Sequence, residues 1–413
     1  MAGVLATPVG PGSASAIVHA HLVASSPAAG DTLGQPPAEV RLVFSEPVEA
    51  ALAGIRLVRP GGAVLELPAR ADPADVRVVV APLPALDAGG YRVVWRVVSA
   101  DGHTVSGDYA FYLEGAGAEV LAAPPPPPAD PRPTPPVGLR TAVEGLAMAA
   151  LLLFAGSLLF LDPRVRTVSR LAASLALVAP LLLAGDFLVW AVMASPGADP
   201  AAAMARASRT TQGRIELVRL GLVLLAAWAL ALARRPRPAA ILALAAVLAS
   251  GGLGHALARS PLVSIPAKAV HLGAAAAWLG ALVRLAGADP DAEVFPPLAR
   301  RVSSVALISV AVIGATGILQ AALLLPELPA LWESGYGRLV LAKAGGLAAL
   351  VALGAFHRFR LLPRLDSGGA PTLRRSVRRE ILVFAVVLLV AAWLAQVPPP
   401  DAGSAALLEG AAR

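Results

Sequence analysis

The sequence predicts a two-part protein, an N-terminal all-β sandwich followed by an all-α polytopic membrane bundle of about eight transmembrane helices. Three observations predict this fold class. Over residues 19–117, short β-rich runs alternate with Pro, Gly and Asp turns at the spacing of a sandwich. After residue 138, several apolar runs reach the ~20 residues needed to cross a bilayer. Between them, residues 118–137 form a proline-rich segment, which predicts a semi-rigid linker.

The composition is typical of a membrane protein and excludes several other classes. The 413-residue chain has a mean hydropathy of +0.70, with 57% hydrophobic and only 15% charged residues. It contains no cysteine, which excludes disulfides, thiolate metal sites and thiol catalysis. The net charge of +7 comes mostly from arginines between apolar runs, so nucleic acid is not a predicted partner. No nucleophile motif, phosphate loop or paired carboxylates stand out, and the chain is not predicted to be an enzyme.

Residues 1–18 are predicted to be a leader segment, because the β part must be exported if it lies outside the cytoplasm. Ala14-Ser15-Ala16 resembles a cleavage site, but the segment has no basic start, and prolines interrupt its apolar core. Two interpretations stay open: export through a weak signal, or a start upstream of Met1.

Five runs in the N-terminal part have the alternation of half-buried strands. They are rich in β-branched and aromatic residues, and turn-forming residues separate them. The predicted strands are residues 40–44, 54–58, 76–80, 91–97 and 108–113.

Residues 138–397 are predicted to form the membrane bundle, in the inner or plasma membrane. Arginine is enriched in every second connection, and by the positive-inside rule those connections are cytoplasmic. Both the β domain and the tail, residues 398–413, are therefore predicted to be extracytoplasmic. The predicted spans are residues 138–161, 168–193, 213–233, 238–258, 267–286, 300–324, 337–361 and 378–396.

This topology predicts that most polar residues of the bundle share the extracytoplasmic half. Ionisable residues inside a membrane are costly and indicate a functional site. The distribution predicts a chamber open to the outside, with only His357 and Glu380 near the inner face. The residues predicted for the outer half are Glu144, Asp186, Glu216, Arg219, His255, His271, Gln320 and Lys343.

The β domain has one candidate metal site, His19 and His21 together with Asp101 and His103. Imidazole and carboxylate ligands suit Cu(II), whereas Cu(I) prefers sulfur, and the only methionine in this part is Met1. The alternative is structural: His19 and His21 belong to a frayed terminus, and Asp101-Gly102 is a hairpin turn.

The bundle has a second candidate site, His255 and His271, each about one helical turn from the connection between two helices. Three interpretations stay open. The histidines bind copper, with Met148 as a further candidate ligand; they hydrogen-bond to backbone or headgroups; or they hold haem in an electron-transfer or metal-reducing protein.

Four motifs span about 95 residues of the N-terminal part: His19-Ala-His-Leu22, Ser25-Ser-Pro27, Val43-Phe-Ser-Glu46-Pro47 and Ser99-Ala-Asp101-Gly-His103-Thr-Val-Ser-Gly107. In this order they resemble the CopC family of copper-binding proteins. The resemblance implies an immunoglobulin-like sandwich and a Cu(II) site made by His19, Asp101 and His103, with His21 as an extra neighbour. His19 becomes N-terminal only if cleavage follows Val18.

Four motifs lie in the bundle: Gly254-His255-Ala256, His271 to Gly280, Tyr336 to Lys343 and Arg378-Arg-Glu380. They resemble the CopD family, and the fusion of the two parts is similar to YcnJ-type proteins. The fusion implies copper import or copper handling at the membrane. Together with the outer clustering of polar residues, it motivates the hypothesis that Cu(II) captured outside passes to His255 and His271 and then inward. The oxidation state of copper in the membrane stays open, and so does sequestration without transport. The implied partners are copper, the lipid bilayer, and candidate copper chaperones or a reductase.

Overall fold

The structure is a computed structural model that describes residues 20–99, 102, 104–114, 137–160, 170–254, 260–325, 327–397 and 399–400. The predicted leader, nearly all of the linker and most of the tail lie outside the described residues. So do four of the six predicted metal ligands, His19, Asp101, His103 and His255.

The N-terminal domain is built from two β-sheets. One has four strands in the order β1-β3-β7-β6, and the other has five in the order β2-β9-β8-β4-β5. All pairings are antiparallel except that of β2 with β9. The strands are β1 (Leu22–Ser26), β2 (Thr32–Leu33), β3 (Glu39–Phe44), β4 (Gly54–Val58), β5 (Val64–Leu67), β6 (Arg70–Ala71), β7 (Val78–Pro82), β8 (Gly89–Val98) and β9 (Thr104–Leu113).

Alternation of buried and partly exposed side chains along the strands forms the apolar core of this domain. In β3 every second side chain is fully buried, as the sequence pattern predicts. Phe44 meets Trp95 edge-on at 5.3 Å between ring centroids, and Tyr91 stacks on Phe111 at 5.4 Å. The predicted β-sandwich is therefore confirmed. Four strands were not predicted, because β1, β2, β5 and β6 are short or lie at sheet edges, where alternation is weak.

The rest of the described chain is helical. Eight helices have 14 or more residues, and two short ones, α3 and α8, were not predicted. The helices are α1 (Val137–Leu159), α2 (Arg170–Ala194), α3 (Pro200–Ala207), α4 (Thr211–Ala231), α5 (Pro236–Ala249), α6 (Pro261–Ala286), α7 (Phe295–Leu324), α8 (Ala330–Glu333), α9 (Gly335–Phe356) and α10 (Ala370–Gln396).

Five of these helices, α1, α2, α6, α7 and α9, are long and apolar enough to cross a membrane. Helix α5 is apolar but shorter, even with the 3-10 turn that follows it. Helices α4 and α10 carry several charged residues in their first halves. A helical region with several apolar spans is therefore confirmed, and the number of eight spans stays a prediction.

The connection between α5 and α6 differs from the prediction. The predicted span 238–258 ends early, because α5 stops at Ala249 and a 3-10 turn covers Ser250–Gly252. Gly254, with φ +63°, adopts a backbone conformation that favours glycine. The predicted span 267–286 starts too late, because α6 already begins at Pro261 and Pro266 lies inside it. Proline is well tolerated in the first turn of a helix, and Pro266 lies only one turn further on.

Helices α1 and α6 cross at two glycines. A Cβ on Gly280 would lie 2.2 Å from the carbonyl oxygen of Gly156, and a Cβ on Gly156 would lie 2.2 Å from that of Ala276. Small residues let the backbones of membrane helices approach this closely. The crossing fixes one face of α6, and its other faces line the cavities described below.

Candidate functional site

The β domain is packed on one end of the helical bundle. The Arg96 guanidinium donates a 2.8 Å hydrogen bond to the Ala194 carbonyl, and the Thr211 amide donates a 2.7 Å bond to Glu49 Oε1. Burial lowers the pKa of Arg96, and neighbouring arginines act in the same direction. An apolar cluster supports these contacts. It contains Leu52, Val98, Phe187, Trp190, Ala191, Ala194, Ala203 and Ala207.

Gly102, the residue between predicted ligands Asp101 and His103, belongs to this contact. Its carbonyl accepts a 3.2 Å hydrogen bond from the Trp190 indole of α2. Its φ of +91° favours glycine, and a Cβ here would lie 1.7 Å from Gln212 Oε1 of α4. Gly102 therefore fits closely against the bundle.

Gly102 also lines a cavity of about 190 Å³ in the bundle, which we call the proximal cavity. Seven of the eight long helices contribute to its walls, as does the turn after α5. Helices α1, α4, α6 and α9 contribute their first halves, and α2, α7 and α10 their last, as expected for alternating helix directions. Its charged lining residues are Arg140, Glu144, Asp186, Glu216, Arg219, Lys268 and Lys343.

Six of the eight residues predicted to share the outer half line this cavity, which also includes Met148. His271 is not among the lining residues, and His255 lies outside the described residues. The clustering was predictable from topology, because each residue lies at the corresponding end of its helix. The sequence did not predict three further lining residues, Arg140, Trp190 and Gln212. Nothing in it shows which residues of α1, α2 and α4 face inward.

The carboxylates of the proximal cavity are neutralised locally. Arg219 Nη1 lies 2.6 Å from Glu216 Oε2, and both side chains are almost fully buried. Arg140 Nη1 lies 2.9 Å from Asp186 Oδ1. The same guanidinium approaches Glu144 to 3.4 Å, and Gln396 donates a hydrogen bond to that carboxylate.

The lysines of the same cavity have a different environment. Lys268 Nζ donates a 2.7 Å hydrogen bond to the Leu253 carbonyl. Within the described part of the chain, neither Lys268 nor Lys343 forms an ion pair with a carboxylate. Their charges are therefore available to the cavity.

His271 is half-buried, and its ring contacts α7. Its Nδ1 lies 2.9 Å from Thr316 Oγ1, and the Thr316 hydroxyl lies 2.6 Å from the Val312 carbonyl. A hydroxyl has one proton, and a carbonyl can only accept. If Thr316 donates to Val312, it accepts from His271 Nδ1–H, and in that tautomer Nε2 has the free lone pair. Metal-binding histidines commonly hold their second nitrogen in this way.

A second cavity, of about 260 Å³, lies toward the other end of the bundle among α6, α7, α9 and α10. We call it the distal cavity. Its walls are mostly apolar, but they include His357 and Glu380, which are 7% and 1% exposed. The Trp278 indole donates a 3.2 Å hydrogen bond to Glu380 Oε1, and His357 Nδ1 lies 3.0 Å from Glu380 Oε2. His357 Nε2 lies 2.7 Å from Ser376 Oγ.

One face of α6 connects the two cavities. Lys268 lines the proximal cavity and Trp278 the distal cavity. His271 lies between them, ~4.5 Å along the helix from Lys268 and ~10.5 Å from Trp278 at 1.5 Å per residue.

The described residues contain no group of three or more His, Cys, Asp or Glu side chains able to hold a metal ion. Of the predicted ligands, His21 is described and exposed, and its amide donates a 3.1 Å hydrogen bond to Ser45 Oγ. The structure does not bring His21 and His271 together, since they belong to different domains.

Comparisons with known proteins match both parts of the chain. The CopC domain model matches residues 22–114, and the model for copper resistance protein D (CopD) matches residues 296–394. Copper transport protein CutJ of Bacillus subtilis (strain 168) is 28% identical over 428 residues, covering 94% of this chain and 75% of CutJ.

Other similar proteins match the β domain alone. Copper resistance protein C of Xanthomonas campestris pv. juglandis is 40% identical over 109 residues, 25% of this chain and 85% of that protein. The crystal structure of CopC from Methylosinus trichosporium OB3b is 35% identical, with a TM-score of 0.23, over 23% of this chain and 94% of that one. The chain therefore belongs to the CopC family through residues 22–114, and its residues 296–394 match the copper resistance protein D model in the same chain.

Proposed function

We propose that this protein captures Cu(II) outside the cytoplasm and passes copper through the membrane bundle for import. The ligands in the β domain are His19, Asp101 and His103, with His21 nearby. The receiving site in the bundle includes His271 and His255. Copper is the cargo, and the two relatives named above for copper transport and copper resistance support this choice of metal.

One observation carries the proposal: Gly102 is part of the wall of the proximal cavity. Asp101 and His103 are its neighbours in sequence, and a residue spans at most ~3.6 Å of extended chain. The predicted ligands therefore belong to the segment that contributes Gly102 to the wall, which supports direct transfer of copper from this segment into the cavity.

The cavity suits a small ion. At ~30 Å³ per water molecule, 190 Å³ holds about six waters, enough for a partly hydrated metal ion. Both cavities are smaller than the ~300 to 1,000 Å³ of pockets that hold larger organic ligands. Their sizes favour an ion over the haem alternative.

Beyond the proximal cavity, the route follows α6. His271 offers Nε2 to copper while Thr316 holds Nδ1–H, and the distal cavity begins about two turns further along the helix, at Trp278. His357 and Glu380 then provide the polar groups nearest to the cytoplasm. The route assumes eight spans with both termini outside, which the alternating ends of the lining helices support.

Copper accumulation in cells that express the full chain tests this function. We expect accumulation above empty-vector cells that survives washing with an impermeant chelator, because the copper is inside. His103→Ala and His271→Ala should both reduce it to the vector level. Val270→Ala is the matched control, since Val270 is adjacent on α6 and 49% exposed, and it should retain wild-type accumulation.

Three outcomes discriminate the alternatives. Unchanged accumulation in His271→Ala contradicts the handover. Copper that the chelator removes from wild-type cells indicates sequestration outside the membrane instead of import. A Soret band in the purified protein would favour the haem alternative.

A further inference from the structure

Lysine is almost absent from this chain. Of its 34 lysine and arginine residues, only Lys268 and Lys343 are lysines. The two are 75 positions apart in sequence, on α6 and α9, and yet both line the proximal cavity. The other 32 residues of this set are arginine, so lysine occurs in this chain only in the lining of the proximal cavity.

The second observation is the charge of the cavity wall. Four cations, Arg140, Arg219, Lys268 and Lys343, face three carboxylates. The arginines are the cations that pair with these carboxylates, at 2.6 and 2.9 Å for the closest contacts. The wall therefore has an excess positive charge, and the lysines are its source.

An excess positive charge is unexpected around a cavity that takes a metal cation. Like charges repel, and the repulsion is stronger where the surroundings are apolar. A negative charge inside the cavity removes the repulsion. Within the described lining, all three carboxylates are already engaged with arginines, so the compensating charge must be brought in.

The chemistry of lysine indicates which anion fits. The guanidinium of arginine is a flat fork that matches carboxylate and phosphate, whereas the ammonium of lysine is a compact charge with three donors. Lys268 uses one donor on the Leu253 carbonyl, which leaves two for a ligand. A compact, near-spherical anion satisfies such donors best.

We propose that the proximal cavity contains a binding site for a small monovalent anion of halide size, formed by Lys268 and Lys343. The bound anion neutralises the wall and lets a copper cation occupy the same cavity. The site itself depends only on the charges and size of the cavity and is present without copper.

Chloride binding to the purified full-length chain tests this site. The protein is stripped of copper with a chelator and dialysed against radioactive chloride, with gluconate as the background anion. We expect saturable chloride binding by the wild type. Lys268→Met and Lys343→Met should each weaken it by about tenfold, which corresponds to ~1.4 kcal/mol.

Arg338→Met is the matched control, because Arg338 is an exposed cation on the same helix as Lys343 and should bind chloride as the wild type does. Lys343→Arg keeps the positive charge and replaces Lys343→Met if that variant does not fold. Its planar guanidinium should still weaken chloride binding. Absence of saturable binding in the wild type, or unchanged binding in the lysine variants, would overturn the proposal. Because no copper is present, a failure of copper import with intact chloride binding would overturn only the proposed function.

Discussion

The two cavities of the bundle differ in the polarity of their walls. The proximal cavity is lined by seven charged residues and is in contact with the β domain through Gly102. The distal cavity is lined mostly by aliphatic side chains, and its buried polar groups are concentrated in one cluster around Glu380. In the proposed route, the proximal cavity with its bound anion lowers the cost of removing a copper ion from its donor. The distal cavity, with few polar groups, binds the ion weakly and so releases it.

The difference between the cavities indicates which substitutions should be most destabilising. In the proximal cavity, ion pairs hold the arginines and carboxylates, whereas Lys268 and Lys343 form no ion pair within the described residues. In the distal cavity, Glu380 contacts Trp278 and His357, and the other polar side chains of the wall, Ser303 and Arg358, bond to each other. We therefore expect substitutions of the paired proximal residues to reduce stability more than distal substitutions do.

The largest loss of stability is expected from Glu216→Ala in the proximal cavity. It leaves Arg219, which is 2% exposed, as a buried charge without its partner. Breaking a buried ion pair from one side costs ~3–5 kcal/mol. Thermal unfolding in detergent should show a large decrease in Tm. Adding Arg219→Leu should restore most of it, and a double variant no more stable than the single one contradicts the ion-pair account.

A smaller loss is expected from Glu380→Ala in the distal cavity. It removes the acceptor of the Trp278 indole and the partner of His357. Each buried polar group left unpaired costs ~1–3 kcal/mol. The Tm of unfolding and the copper accumulation should both decrease. Glu333→Ala, at an exposed position of α8, should change neither. Normal accumulation in Glu380→Ala would exclude the distal cavity from the route.

Gly280→Ala should destabilise the crossing of α1 and α6, the helix that lines both cavities. The new methyl group would lie 2.2 Å from the Gly156 carbonyl oxygen, and backbone atoms cannot move aside cheaply. Overpacking of this kind costs ~1–3 kcal/mol. Gly354→Ala has no atom within 4 Å of its Cβ and is the control; as a helix position it should gain ~1 kcal/mol. Equal Tm changes in the two variants would show that the crossing is not tight.

The smallest effect is expected from Trp190→Phe, which removes the indole N–H that binds the Gly102 carbonyl. The ring remains in the apolar cluster, so stability should decrease by only ~1 kcal/mol. Faster proteolysis within the 99–104 loop would show that this bond holds the loop on the cavity. Trp228→Phe, on the exposed face of α4, is the control and should leave the cleavage rate unchanged.

The sequence predicted the division into a β domain and a helical region because alternation and long apolar runs are local signals. It also predicted that Glu144, Asp186, Glu216 and Lys343 share one end of the bundle, since topology alone assigns depth. It could not predict the contact between Gly102 and Trp190, which depends on how the β domain packs against the bundle.

Two other features could not be predicted from the sequence, for different reasons. The end of α5 and the position of Pro266 within α6 depend on backbone geometry around Gly254 that no periodicity reveals. The contact of Trp278 with Glu380 joins α6 to α10, 102 residues apart. Side-chain direction in a helix that is apolar on most sides is decided by packing.

The account depends most on the contact between the β domain and the bundle, because the handover requires the copper loop to be part of the proximal cavity. Ala203→Arg breaks this contact from the bundle side without altering a copper ligand or a lining residue, since Ala203 is fully buried in the interface cluster. Ala205→Arg, exposed on the same short helix, is the matched control.

The decisive measurement is copper accumulation in cells alongside copper bound by the purified protein. The account predicts that Ala203→Arg binds as much copper in the β domain as the wild type but accumulates it only at the vector level, while Ala205→Arg matches the wild type in both. Wild-type accumulation by Ala203→Arg, with the β domain shown by proteolysis to be detached, would contradict direct transfer between the two parts.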